Sequence, residues 1–238
     1  MNKTGEGGPC QRRRAVRAAV RRLPAAIATA VAIGIYALLP AQLILGPRLI
    51  IPILEGGLLA SLVAVNPRRM ARQTRWSRAI SLGLVGLIAL TNLVALGLLI
   101  RDLVAEHVQQ GRPLLLGALQ VWLTNIIVFG LAFWELDRGG PVARTQSDRS
   151  ALPPADFRFS QDENHDTIAE VARSSSRTSG WVPSFIDYLY VSTTNSTAFS
   201  PTDTMPLTSR AKLLMALESI AALLTSILVI ARGVGILQ

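Results

Sequence analysis

Apolar residues in this chain are gathered into five long runs, Leu23 to Leu45, Leu49 to Val65, Ala79 to Ile100, Leu114 to Trp134 and Leu213 to Val234, separated by polar or basic links. Most of these runs reach or approach the roughly 20 residues that an α-helix needs to cross the hydrocarbon core of a bilayer. The second is short and carries Pro52 and Glu55. A chain of this size has no interior large enough to bury five helices that are apolar all round. The pattern therefore predicts an all-α polytopic membrane protein of about five transmembrane helices, with the lipid bilayer as its first partner.

The links set the connectivity. Gly46, Pro47 and Arg48 make a tight turn, so the first two runs form a hairpin. Asn66 and Pro67 lead into the third run, and Gly111 breaks the connection Arg101 to Pro113 before the fourth, which gives a second hairpin. Residues 1–22 read as a basic cytoplasmic tail and 23–104 as a three-helix N-terminal membrane region. Residues 135–180 differ in composition: Gly139, Gly140, Pro141, Pro153, Pro154 and the serines 174–176 interrupt any helical or strand period. They predict a solvated polar loop with a short helix near Thr167 to Arg173. Asp162, Glu163, His165 and Asp166 are of the types that can share a cation, but their spacing fits no metal-binding motif, so no metal or cofactor is expected.

Charge changes the picture in one respect. A formal net charge of +9 would fit nucleic acid if it formed a stripe. Instead Arg12, Arg13, Arg14, Arg17, Arg21 and Arg22 precede the first run, and Arg68, Arg69, Arg72, Arg75 and Arg78 fill the link before the third. These are membrane flank anchors, and nucleic acid is not an expected partner. They place the N-terminus and the Arg68–Arg78 link in the cytoplasm. Four crossings then return the chain there at Asp137, where Arg138, Arg144 and Arg149 agree, and a fifth leaves the C-terminus outside. Arginine is far in excess of lysine, as in a GC-rich genome, and the expected location is a plasma (inner) membrane with the N-terminus cytoplasmic. The first run follows a basic segment as a signal peptide would, but Leu39 and Ala41 make a poor cleavage pair, so it reads as an uncleaved anchor. Cys10 is the single cysteine and excludes an intramolecular disulfide. The two histidines, His107 and His165, lie in connections, and neither a nucleophile motif nor a phosphate-cradling glycine loop is present, so the chain does not read as an enzyme.

Trp181 to Thr208 is too polar to cross lipid and too apolar for a plain linker. Trp181, Pro183, Phe185, Ile186, Tyr188, Leu189 and Tyr190 give way to Ser192, Thr193, Thr194, Asn195, Ser196 and Thr197. A short helix with apolar sides and a hydroxyl-rich end suits a re-entrant segment, whose irregular backbone is tolerated only inside protein or beside water.

Here the residues carry a resemblance. Asp187, Leu189, Tyr190, Ser192, Thr197, Asp203, Pro206, Thr208, Lys212, Leu213, Leu217 and Glu218 match without gaps the pore helix, filter and inner-helix start of two-span potassium-channel pore domains, and Ile230, Ala231, Arg232 and Gly235 resemble the end of the inner helix. The similarity covers about 50 residues. It implies that 114–238 is a pore-domain-like unit, with outer helix 114–134, polar loop 135–180, re-entrant segment 181–207 and inner helix 208–235. It also implies a homo-oligomer, tetrameric in that family, with monovalent cations as ligands. Thr197, Ala198, Phe199, Ser200, Pro201, Thr202 and Asp203 would occupy the filter, supported by Asp187, Tyr190, Ser192 and Glu218. The chemistry departs from that family at one place. Where those channels place Thr-Val-Gly-Tyr-Gly, this chain has Ala198, Phe199, Ser200, Pro201 and Thr202. Both glycines are gone, and Pro201 fixes its own φ, so a column of stacked carbonyls selective for dehydrated potassium is disfavoured. The chain is also similar to bacterial membrane proteins that keep the Tyr-x-Ser to Asp framework without the glycine filter. In the resembled channels the filter-side loop is outside, opposite to the side that the charge count assigns here, so either one of the first runs does not cross or the module sits inverted, and the side of the last helix stays open.

Polar residues inside the runs complete the expectations. A charge at the bilayer centre costs about 2.5 kcal/mol or more on insertion scales, so Glu218 and Glu55 need partners or water. Glu218 reads equally as a pore-lining or pore-helix-bracing carboxyl and as a group packed against the hydroxyls of 192–197. Glu55 reads as a buried structural or interfacial acid. Asn92, Gln120, Thr124 and Asn125 read as interhelical glue, and Ser219, Ala222 and Ser226 as a small-residue face that permits close approach of a neighbour. Two functions follow: a pore-loop, channel-like oligomer with non-potassium or lost selectivity, or a non-conducting membrane scaffold or accessory subunit.

Overall fold

A computed structural model of the chain describes residues 23–44, 46–65, 75–104, 111–163, 171, 173–197 and 203–236. Four helices come first: α1 Leu23–Ala37, α2 Ile50–Val65, α3 Arg75–Val104 and α4 Gly111–Leu136. A short α5, Pro141–Gln146, follows, then strand β1, Phe157–Phe159, and a single turn at Ser176–Ser179. Helix α6, Phe185–Thr197, strand β2, Thr204–Pro206, and the long helix α7, Ser209–Ile236, complete the chain.

Three stretches are long and apolar enough to cross a membrane: Arg75–Asp102, Pro113–Gly139 and Ser209–Ile230. Helices α1 and α2 are apolar but shorter, at 15 and 16 residues. The expectation of five full spans is thus met by three. The first run stops early because Pro40 disfavours helix at the residue before it, and a 3₁₀ turn at Ala41–Leu43 replaces the last helical turns. Leu90 and Leu93 of α3, Leu116 and Leu119 of α4 and Leu213, Ile220 and Ile227 of α7 are all exposed. An apolar surface this continuous matches hydrocarbon as its solvent.

Two clusters of buried side chains hold the helices together, one at each end. At one end Ala25 and Ala28 of α1, Leu84 of α3 and Phe133 and Trp134 of α4 gather with Phe157, Phe185 and Tyr188. At the other, Tyr36, Leu39 and Leu43 meet Leu96 and Leu99 of α3, Leu114, Ala118 and Val121 of α4 and Ala221 of α7. Helices α1, α3 and α7 therefore run antiparallel to α4, and the start of α3, the end of α4 and the start of α7 share one end. Arg75, Arg78, Arg138, Arg144, Arg149, Arg158 and Arg210 lie on this basic end, whereas Arg48 and Arg101 flank the opposite one.

The segment after α4 corrects the expectation of a solvated loop without regular structure. β1 pairs antiparallel with β2, Phe157 opposite Pro206 and Phe159 opposite Thr204, and both phenylalanines are buried. The periodicity failed to show this because strands of three residues are too short to display a period, and their hydrogen-bond partners lie far along the chain. The expected helix at 167–173 and the residues His165 and Asp166 fall mostly or wholly outside the described residues.

Candidate functional site

The site is built around α6. It begins with a cap: the backbone N–H and the hydroxyl of Ser184 both donate to Asp187 Oδ2, at 2.7 and 2.8 Å, half of a capping box. Along the helix, Phe185, Tyr188, Val191, Ser192, Asn195 and Ser196 are buried, a stripe at helical spacing. Their partners show the path. Tyr188 donates to Asp137 Oδ2 just beyond α4, at 2.5 Å. Beside it on α6, Leu189 packs on Gly130, about two turns deeper in α4 than Asp137, where a Cβ would come within 3.2 Å of the Leu189 Cα. A turn deeper again, Ser192 Oγ donates to the Ile126 carbonyl at 2.7 Å. Ile126 is the central residue of the Pro113–Gly139 stretch, roughly 20 Å from Gly139 at about 1.5 Å per residue. Helix α6 therefore descends from the basic end to half the depth of α4.

The chain then comes back. Residues 198–202 lie outside the described residues. By Thr204–Pro206 it pairs with β1, and the Leu207 N–H donates to the Asp156 carbonyl at 2.8 Å, again at the basic end. The described ends of the segment thus both lie at the basic end, with Ser192 at the level of Ile126 between them.

The deep end is held by Glu218, whose side chain is 0% exposed. Its Oε1 shares the single Ser192 hydroxyl proton with the Ile126 carbonyl and, at 3.1 Å, accepts from Ser196; its Oε2 accepts from Asn195 Nδ2 at 2.7 Å. Asn195 also donates to the Met215 carbonyl at 2.9 Å and accepts from Ser219 at 3.0 Å, and Asn125 of α4 donates to the Glu218 carbonyl at 3.3 Å. Three helices meet on this one residue. All of the donors are neutral, which suits a depth where an unpaired charge would cost most.

The rim is held differently. Asp137 Oδ1 accepts from the N–H of Asp156 at 2.7 Å and of Phe157 at 3.4 Å, while Oδ2 takes the Tyr188 hydroxyl. Burial, chiefly, holds the Tyr188 pKa well above its ordinary value, so the phenol stays a donor. Arg144 donates to the carbonyls of Asp137 and Trp134, at 2.6 and 2.8 Å, closing the C-terminal end of α4, and sits 4.9 Å above the Tyr188 ring. Asp156 accepts from Thr208 and Arg210, and Thr208 Oγ accepts from the Ala211 N–H as the N-cap of α7.

The residues expected at the site divide into three groups. Ser192 and Glu218 meet directly. Tyr190 and Asp203 are exposed and bond to one another at 3.2 Å, while Asp187 acts at the start of α6 and Thr197, exposed, donates to the Thr193 carbonyl at 2.8 Å. Ala198, Phe199, Ser200, Pro201 and Thr202 lie outside the described residues. Sequence reasoning missed Asp137, Asp156 and Tyr188 as a set. Ser184-x-x-Asp187 was a legible cap signal, but nothing local announces that Asp137 gathers donors from the segment after Pro154.

Asp162 and Glu163 do not converge on one another. Asp162 accepts from Arg138 at 2.5 Å and from Ser176 at 2.8 Å, and Glu163 pairs with Arg158 at 2.5 Å. Among the described residues no group of three or more acidic, histidine or cysteine side chains is placed to share a metal ion. No protein-family model matches this chain, and neither a curated protein nor a solved structure matches it.

Proposed function

We propose that this chain is a subunit of a pore-loop membrane protein, in which α4, α6 and α7 form the pore-type unit and residues 197–203 the constriction of an ion path between copies. The half-depth descent of α6, clamped on Glu218 and returned to the rim through β2, carries the reading. Such a path would be lined by hydroxyls and by Asp203 in place of stacked glycine carbonyls, so it would pass monovalent cations with weak selectivity. Under the flank-charge rule the basic end faces the cytoplasm. The re-entrant segment then enters from the cytoplasm, inverted relative to the channels that the sequence resembles.

Protein reconstituted in liposomes is expected to show cation flux that changes in Asp203→Asn, and to behave as a symmetric oligomer in nanodiscs. A monomer, silent across ions, voltage and pH, would overturn the proposal. The sidedness is tested apart from flux: in a Cys10→Ser background, Gln238→Cys is expected to react with an impermeant thiol reagent from the periplasmic side.

A second reading rests on one observation. The Glu218 carboxyl is enclosed by α6 and 0% exposed within a single copy, which favours a non-conducting scaffold or accessory subunit. A stoichiometric partner that co-purifies, with no flux, would select it.

A further inference from the structure

At the basic end, a cavity of about 230 Å³ lies away from the Glu218 clamp and beside the Asp137 clasp, with which it shares Arg144. Arg138, Arg144, Arg149 and Asp162 line it together with Trp181 and Leu152. Asp162, and Asp137 at 3.6 Å from Arg138, offset two of the three guanidinium groups and leave an excess of positive charge. Asp162 is committed to Arg138 and Ser176. Arg144 and Arg149 have no carboxylate within ion-pair distance among the described residues. Arg144 donates to backbone carbonyls, and its Nε, buried, has no hydrogen-bond partner. Arg149 gives one nitrogen to the Trp181 carbonyl at 2.8 Å.

Isolated buried cations are costly, so guanidinium groups with no carboxylate partner beside a lined cavity favour an anion there. Arg144 itself, 3% exposed, is held by α4 and by the Tyr188 ring, so the donor is fixed in advance of any ligand. Arginine forks match tetrahedral oxyanions through paired N–H donors. The volume lies below the roughly 300 Å³ at which pockets for drug-sized ligands begin, so it suits a small headgroup and not a nucleotide. Its position, just past the end of α4, is where the phosphates of a bilayer lie.

We infer that this cavity is a phosphate-binding site, formed by Arg144 and Arg149 with Trp181 as its wall, and able to take the phosphate of an anionic lipid or free phosphate. It does not depend on conduction.

The test uses the full chain in nanodiscs of phosphatidylcholine with phosphatidic acid, read by native mass spectrometry, and in detergent with inorganic phosphate, read by titration calorimetry. Arg149→Ala removes an exposed side chain outside both clamps, and an unchanged unfolding transition verifies its fold. Wild type is expected to retain phosphatidic acid over phosphatidylcholine, with roughly tenfold weaker retention in Arg149→Ala and partial recovery in Arg149→Lys. Retention that free phosphate does not displace identifies the lipid as the ligand. Phosphate binding without lipid preference identifies free phosphate. If wild type binds neither, or if Arg149→Ala binds both as wild type does, the site is refuted.

Discussion

Glu55 in the N-terminal region and Glu218 in the pore-type unit are buried to the same extent, 1% and 0% exposed, and each lies in an apolar helix. Their surroundings differ. Glu218 receives two hydroxyls and an amide, from α6. Among the described residues Glu55 has only Thr91, at 3.5 Å, and its Oε2 has no partner there. Burial alone therefore does not distinguish the two acids; the number of donors that a second element brings does. The Glu218 position ties three helices together, and the Glu55 position ties α2 to α3 by one long contact.

The sharpest way to break this contrast is Glu218→Ala. It leaves Ser196 and one Asn195 N–H without an acceptor at about 1–3 kcal/mol each, while Ser192 keeps the Ile126 carbonyl, and with the cavity it opens a loss of about 3 kcal/mol is expected in mixed-micelle unfolding, with release of α6 visible as new protease cleavage near 198–202. Asp137→Ala, at the rim, should cost about 2 kcal/mol. It removes two firm bonds, from Tyr188 and Asp156, and one long one, from Phe157 at 3.4 Å, so the difference between the two variants measures what each carboxyl holds. Glu218→Gln keeps an acceptor for the serines but sets an amide donor against Asn195 Nδ2, and should cost about 1 kcal/mol. Gly130→Ala should cost a few tenths to about 1 kcal/mol, because the Leu189 backbone must retreat slightly from α4. Glu55→Gln should be close to neutral by the same assay, since it gives up a single long contact and removes a costly charge. A large loss there would show that the two acids are equivalent after all.

The rim and the deep end of α6 show how far the chain could be read before its structure was known. The helical stripe from Phe185 to Ser196, the apolar runs of α3, α4 and α7, and the pairing of Glu218 with the hydroxyls of 192–197 were all legible, because each depends on local spacing or on one helix facing the next. The rim was not. Arg144 and Arg149 read only as orientation charges, and 135–180 read as loop, because Asp137 collects its partners from three separate segments. No period along a chain records that convergence.

The sequence by itself determined that these helices are apolar on their outer faces, that the Trp181–Thr208 segment is amphipathic, and that positive charge collects on one set of links. Those properties follow from residue type and interval. Only the tertiary structure decided that β1 meets β2 and that α6 seats Ser192 beside Ile126. These depend on which distant groups satisfy one another's hydrogen bonds once water is excluded, and that is settled by the packed chain as a whole.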